Sequence, residues 1–502
     1  MLRSKLVRPT RGSAATGRRA LRNWAAGRED VRFQFKCTQC GKCCTGRGGR
    51  VRVNERELAR IASATGEPIA AVQRKFVRRG PEPGQWLLRQ TDGDSRCVFL
   101  DGTKCSIYKD CSTDSLSLST SARPTQCQTY PWWPQNVISD YDWHVTAREC
   151  EGISVGSGDE EQPTQEEDKS VYSYDDVMPQ LIAHDIHRSG ENYTLDDTME
   201  LLHELMADDA SFVEGYKAEF FSAFSRKVLF QDDEVTVLDS LLGAEAPTTR
   251  SFVFNDRLHL VQSEVVVDPA SGAIDRSSLT LEVHRALCVP LAFLSDRKLH
   301  VAVLGAGAGS LPLFLLHHLP DIERLDAVEP NTHVNAIARE YFGVAEFQDR
   351  HPSRLSVHDQ MGEQFLENDH LRGSLDLVII DVDAGSTFDG VAAPSETMLT
   401  PSFLALVKRS LSPGGIVAIN VIADSTAALQ LVQTRLRAVF PAGLTLQLST
   451  VRNAVLCAFN DAAPVPSTED VASLSQRLEL DLFQAQCAHT PELVASSQVT
   501  CW

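Results

Sequence analysis

Residues 231–462 of this chain read as an α/β domain built on a mostly parallel sheet, joined by a helical stretch to a small cysteine-rich domain. Three observations predict this. Apolar runs bounded by turns recur through the C-terminal half, a glycine-rich turn joins one run to a helix-like segment, and nine of the thirteen cysteines fall between Cys37 and Cys150.

At 502 residues the chain is too long for one core, so two folded domains with connectors are expected. Apolar residues make up 43% and charged residues 23%. No apolar run approaches the roughly 20 residues of a membrane helix, so no membrane span is expected. Residues 1–28 carry eight basic side chains (Arg3, Lys5, Arg8, Arg11, Arg18, Arg19, Arg22 and Arg28) and no acid, and leaving them out takes the net charge from −19 to −27. An Arg-rich, acid-free opening suits a transit peptide over 1–32, mitochondrial in the first instance, with plastid or cytoplasmic placement as alternatives. A body so acidic repels phosphate backbones, which argues against direct nucleic-acid binding and favours a protein partner, a basic one fitting best. Oligomeric state is left open.

The elements follow in order. A cysteine-rich domain is expected over 33–153, then an acidic linker and helical connector over 154–230, where Leu195, Met199, Leu202 and Met206 recur at spacings of three and four. In 231–462, Ser251–Phe254 and Leu258–Val267 suggest an antiparallel start and Asp275–Leu294 a helix. Leu299–Leu304, Leu325–Val328, Leu375–Asp381 and Ile416–Val421 are continuous apolar runs, the pattern of parallel strands covered on both faces. Thr400-Pro401 reads as a helix N-cap and first position, with Ser412-Pro413-Gly414-Gly415 ending that helix. A helical tail is expected over 463–502.

The run ending at Leu304 passes straight into Gly305-Ala306-Gly307-Ala308-Gly309, and a helix-like Leu311–Leu319 follows. Glycines there permit positive φ and close approach of a ligand to the backbone, while the helix start offers free N–H groups. Plain tight turns use glycine as well. Further along, Leu325-Asp326-Ala327-Val328 ends in Glu329, placed to accept hydrogen bonds from ribose hydroxyls; Asp359 follows Val357-His358, and Asp381 ends another run. A surface acid is the alternative for Glu329 and Asp359. His317 and His318 read as structural.

These residues resemble the spermidine-synthase-like methyltransferases, a Rossmann-like family, and within it the C-terminal module of the elongation factor 1-alpha lysine and N-terminal methyltransferases. Gly305–Leu315, Asp326–Glu329, Asp381-Val382-Asp383 and Val261-Gln262-Ser263-Glu264 carry the resemblance. It implies an S-adenosylmethionine site lined by Gln262, Gly305, Gly307, Glu329, Asp359 and Asp381, with Gly309 closing the turn. Polyamine synthases of the same family place an Asp in the glycine turn; here that slot is Ala308, which favours methyl transfer over aminopropyl transfer. Asp381, together with Asp383, is expected to orient an acceptor amine.

Cys37, Cys40, Cys43 and Cys44 lie within eight residues, a spacing that lets one turn present several sulfurs to one centre. With Cys97, Cys105, Cys127 and Cys150 they resemble the CxxCxxCC zinc- or iron-chelating family, which implies zinc or iron held by these eight thiols; an iron–sulfur cluster is equally compatible with the spacing. Cys111 sits in a Ser-rich insert and is the least expected ligand. The leading expectation is a methyltransferase acting on a protein amine. The alternatives are a non-catalytic metal- or cluster-binding protein and a polyamine aminopropyltransferase.

Overall fold

The computed structural model describes residues 31–45, 51–80, 86–91, 96–108, 121–155, 170–208, 211–243, 245–257, 260–294, 298–383, 388–448, 453–461 and 498–502. Nearly all of the expected transit peptide, the insert with Cys111, most of the acidic linker and most of the expected helical tail lie outside the described residues. Two compact units form, Met1–Gln231 with Leu241–Ala246, and Asp232–Ser240 with Pro247–Trp502. No helix among the described residues is long and apolar enough to cross a membrane.

In the first unit, strand Phe33–Phe35 pairs antiparallel with Ile153–Ser154 on one side and Ser170–Tyr172 on the other. Phe33 is fully buried, and its ring meets Trp143 and Tyr174 edge-on at 5.0 and 5.1 Å. Helix Tyr174–Arg188 opens on a capping box of Ser173 and Asp176 and packs Val177, Met178, Leu181 and Ile182 into the same core. Leu202, Phe220 and Phe221, from helices Leu195–Asp208 and Phe212–Ala223, join it. The helical connector therefore packs on the cysteine-bearing unit. Short cysteine-rich segments bury too little apolar surface alone, and the stripes of these helices supply it.

The second unit opens with the antiparallel strands Val235–Leu242, Thr249–Phe254 and Val261–Val267 in sequence, each pairing with the next. The expected helix over Asp275–Leu294 is much shorter. Ile274–Asp275 is a strand, and the α-helix covers only Glu282–Leu287, followed by a 3-10 turn, Val289–Phe293. Asp275 takes hydrogen bonds from the Ser277 amide and hydroxyl and from the Ser278 hydroxyl, a turn that competes with helix, and Pro290 removes a donor further on.

The main sheet contains β1 (Leu299–Leu304), β2 (Ile322–Val328), β3 (Leu355–His358), β4 (Leu375–Ile380), β5 (Val391–Ala393), β6 (Leu411–Ala423), β7 (Ala442–Gln447), β8 (Asn453–Phe459) and β9 (Gln498–Cys501). Its order is β3-β2-β1-β4-β6-β8-β7-β9, with β5 paired to β6. β3 to β6 along this path are parallel, β8 and β7 antiparallel. Thr400 caps helix Pro401–Ser410 as expected, but that helix gives way at Leu411 directly to β6, which contains Ser412–Gly415. Chain order reverses at β1 and β4, the switch point where open α/β sheets bind ligands.

Candidate functional site

Parallel register decides which side chains share the carboxyl edge of the sheet. Leu304 of β1 pairs with Val328 of β2 and Ile380 of β4, Val328 pairs with His358 of β3, and Ile380 pairs with Ile419 of β6. The next residues, Gly305, Glu329, Asp359 and Asp381, therefore leave the sheet side by side, with Asn420 next to Asp381 on β6, which runs on to Ala423. The sequence-predicted site residues on these strands are brought together by pairing alone.

Gly305 has φ +82°, and a Cβ there would lie 2.1 Å from the Asp381 carbonyl oxygen. Only glycine fits so close a passage of two backbones. Gly307 and Gly309 also have positive φ, and Gly309 opens the buried helix Ser310–His318. The Gly307 amide donates to Glu329 Oε2 at 3.2 Å, and the Ala308 amide donates to Ser263 Oγ at 3.0 Å. Glu329 Oε1 accepts from the Asn331 amide at 3.0 Å. Burial pushes the Glu329 carboxyl up against the pull of these two amides. Asp359 is exposed and is held by Asn335, whose amide donates to it at 2.6 Å and to the Glu329 carbonyl at 2.8 Å. Gln262 stands half-buried on strand Val261–Val267, next to Ser263.

Asp381 is the most heavily supported group. Its Oδ2 accepts from His284 Nε2 at 3.1 Å, its Oδ1 from Asn420 Nδ2 at 2.8 Å, and Asn420 Oδ1 accepts in turn from Asn453 Nδ2 at 2.8 Å. Burial pushes its carboxyl up, but the hydrogen bond and charge of His284 and the Asn420 amide outweigh it, leaving it below the usual carboxylate range. Asp383 behaves differently. It is exposed and ion-paired with Arg257, whose guanidinium lies 5.1 Å over the Phe254 ring.

In the first unit, four segments carry the cysteines. Cys37, Cys40, Cys43 and Cys44 follow strand Phe33–Phe35 and turn through Gly41, at φ +75°, into the 3-10 helix Lys42–Cys44. A Cβ on Gly41 would lie 2.8 Å from the Thr103 carbonyl of the hairpin Leu100–Asp101/Lys104–Cys105. Cys97 is tied by its amide to the Cys44 carbonyl at 2.8 Å; Cys127 lies on the short helix Thr125–Gln128 and Cys150 caps the end of helix Asp140–Glu149. Glu57 holds the Cys127 helix through the Thr125 amide at 2.6 Å and is itself bonded to His187 at 3.1 Å.

Cys37, Cys43, Cys44, Cys97, Cys105 and Cys127 line one cavity with Phe99, Tyr108, Arg123, Tyr130 and Trp133. Cys43 and Cys44 sulfurs are 4.0 Å apart. Among the described residues no three metal-binding groups already converge on one ion-sized centre. Cys150 lies within electrostatic reach of Cys40, Cys43 and Cys37. Burial raises the Cys97, Cys105, Cys127 and Cys150 thiols, while Cys43 is lowered by its hydrogen bond with Cys44 and by Arg123. Arg123 itself stacks 4.2 Å over the Tyr108 ring.

Sequence reasoning did not single out His284, Asn420, Asn453, Ser263, Asn335, Arg257 or Arg123 as functional. Two of them carried a signal: Asn420, a polar residue inside the apolar run Ile416–Val421, and Ser263, inside the Val261–Glu264 stretch that carries the resemblance. The others become visible only once distant segments are packed.

The chain matches the CxxCxxCC family, described as a zinc- or iron-chelating domain, over residues 36–151. It is 28% identical over 220 residues to the human eEF1A lysine and N-terminal methyltransferase, 42% of this chain and 31% of that protein. It is also 26% identical over 226 residues to a polyamine aminopropyltransferase of Chromobacterium violaceum, 44% of this chain and 79% of that one. The chain thus spans about a third of the length of the eEF1A methyltransferases it matches. Among solved structures, human methyltransferase-like protein 13 in complex with SAH superposes with a TM-score of 0.37 at 27% identity, covering 41% of this chain and 94% of that one. Spermidine synthase from Thermotoga maritima gives 0.35 at 15%, covering 52% and 88%.

Proposed function

We propose that the second unit is an S-adenosylmethionine-dependent methyltransferase acting on a protein amine, a lysine or an N-terminus, and that the first unit is a thiolate metal-binding module in the same chain. The observation that carries this reading is the alignment of Glu329 and Asp381 on either side of Gly305, at the switch point of the sheet. Glu329 is anchored to the glycine turn and suits a ribose; Asp359 and Gln262 stand at its margins. Bound there, the sulfonium supplies an activated methyl group. The chain's own task is to place an unprotonated nitrogen in line with it and exclude water. Asp381, fixed from two sides, is the acceptor for that amine's N–H.

Two features weigh against aminopropyl transfer despite the similarity to a polyamine aminopropyltransferase. The turn position where the polyamine synthases place an Asp is Ala308, fully buried. Asp383, which would suit a second ammonium group, is already neutralised by Arg257.

The cysteine cavity fits a metal by the kind of donors it has. Sulfur ligands suit zinc or an iron–sulfur centre, and Cys37, Cys43, Cys44, Cys97, Cys105 and Cys127 are the residues that would hold it, with Cys40 and Cys150 beside them.

Full-length protein incubated with methyl-labelled S-adenosylmethionine and elongation factor 1-alpha, and in parallel with aminopropyl-labelled decarboxylated S-adenosylmethionine and putrescine, tests the reading. Label on the protein but not on the diamine is expected. Calorimetry showing no cofactor binding would leave the non-catalytic metal-binding reading in its place.

A further inference from the structure

A carboxylate beside an acceptor amine has two opposing effects. It orients the nitrogen through an N–H, and its charge also stabilises the ammonium, which has no lone pair to attack with. The surroundings of Asp381 resolve this. His284 lies on helix Glu282–Leu287, is 5% exposed, and directs Nε2 at Asp381 Oδ2, 3.1 Å away. Its Nδ1 is buried without a hydrogen-bond partner among the described residues, so Asp381 is the polar contact of the imidazole. Asn420, held by Asn453, occupies the other carboxylate oxygen. The strands packed against the His284 helix, β6 and β8, carry one ionisable side chain between them, the buried Cys457, and the 3-10 turn Val289–Phe293 carries none. On and beside its own helix lie Glu282, Arg285 and Cys288, the last donating its thiol to the His284 carbonyl.

We propose that His284 is a positioning residue of the transfer site, its Nε2–H held on Asp381 Oδ2 so that the carboxylate keeps one orientation and draws less strongly on the proton of an acceptor amine. The inference rests on the methyl-transfer reading above. An ammonium that reaches the site first sheds one proton to solvent. The nitrogen lone pair then forms the N–C bond as the C–S bond of the sulfonium donor breaks, its electrons leaving on sulfur, and the methylated nitrogen keeps the positive charge. Asp381 accepts an N–H throughout. Asn420 and Asn453 keep the carboxylate from turning away.

The test uses the full chain, labelled S-adenosylmethionine and, in parallel, elongation factor 1-alpha and a lysine-free peptide with a free α-amine. His284→Leu removes the N–H donor, and His284→Gln keeps one. With Asp381 deprived of that N–H, a bound α-amine should hold its proton about one unit higher in pH, from the ordinary value of about 8. For His284→Leu on the α-amine peptide, expected are a kcat lowered about tenfold at pH 7 and restored to within about twofold near pH 9.5, with KM not raised, calorimetric cofactor affinity unchanged and most of the loss recovered in His284→Gln. A kcat reduced equally at every pH, a kcat unchanged at pH 7, or loss of cofactor binding in both variants would overturn the role of His284 alone. No transfer to either acceptor by the unsubstituted chain would overturn the methyl-transfer reading and this inference with it.

Discussion

The glycine-turn site and the cysteine cavity are held together by opposite means. In the second unit the carboxylates at the candidate site are satisfied by the protein itself: Glu329 by the Gly307 and Asn331 amides, Asp381 by His284 and Asn420, Asp359 by Asn335. In the first unit the cysteines are secured through their backbones, the Cys44 amide on Gly41, Cys97 on Cys44, Cys127 on Pro124 and Cys150 on Thr146, while Cys44, Cys97 and Cys127 line a cavity with Cys37, Cys43 and Cys105. One site is preorganised by a sheet, and the other is a set of thiols that a metal would complete.

The largest expected effect separates the two on this ground. Stripping metal from the protein with a chelator, or substituting Cys43→Ser, should destabilise the first unit by several kcal/mol, since a structural thiolate-bound zinc contributes on the order of 10 kcal/mol. Calorimetric melting should lose or shift the transition of that unit and leave S-adenosylmethionine binding by the second unchanged. A melting profile identical with and without metal would remove the contrast.

The second unit has its own internal charge cluster, which needs no ligand. Asp326, fully buried on β2, accepts from His300 at 2.6 Å, His358 at 2.7 Å and Arg324 at 3.0 Å. Burial pushes its carboxyl up, but these three partners bring it far below the usual range. Asp326→Asn should cost about 3 kcal/mol at pH 7 by leaving Arg324 without its counter-charge and the His300 and His358 contacts without their carboxylate. Because the folded value is depressed, the carboxylate's contribution is complete above the unfolded value of about 3.9 and drains away as pH falls below it. Urea titrations should find the gap between the two proteins about 1 kcal/mol smaller at pH 3 than at pH 7. An equal gap at both would show that the pairing is not electrostatic.

At the site itself, Gly305→Ala places a methyl where the Asp381 carbonyl already stands, on a backbone at φ +82°. Strain of this kind costs about 1–3 kcal/mol. Cofactor affinity should fall at least about tenfold by calorimetry while the cysteine unit melts as before. Unaltered affinity would mean that the glycine turn is not where the cofactor binds.

Much of this second site was legible in the sequence, because continuous apolar runs mark buried parallel strands and whatever follows such a run leaves the sheet at its ligand-binding edge. Gly305, Glu329, Asp359 and Asp381 were therefore found from pattern. His284 was not. It lies in a stretch that reads as one long helix but is broken by the Asp275 turn and Pro290, and its partner is 97 residues away. The cysteine unit shows the reverse. Spacing gave Cys37, Cys40, Cys43 and Cys44 at once and the family resemblance added the other four, but neither gave the aromatic core around Phe33 or which unit the helices beyond Tyr174 share, since nothing local says which apolar face an amphipathic helix will cover.

The smallest effects should come from the rim, and they rank the carboxylates by how much the protein has invested in them. Glu329 is half-buried and bonded to two amides, so Glu329→Gln, which keeps its shape but loses its charge and one acceptor, should weaken cofactor binding about tenfold, equivalent to about 1.4 kcal/mol. Asp359 is exposed and has Asn335 as its holder, so solvent competes for whatever it binds and Asp359→Asn should cost about threefold or less. Asn335 bonds both Asp359 and the Glu329 carbonyl, so Asn335→Ala should exceed Asp359→Asn in effect even though it carries no charge. If calorimetry instead ranks Asp359 above Glu329, ligand contact at the outer edge outweighs preorganisation at the turn, and the contrast between a site built by its own hydrogen bonds and one completed by its ligand no longer divides the two units.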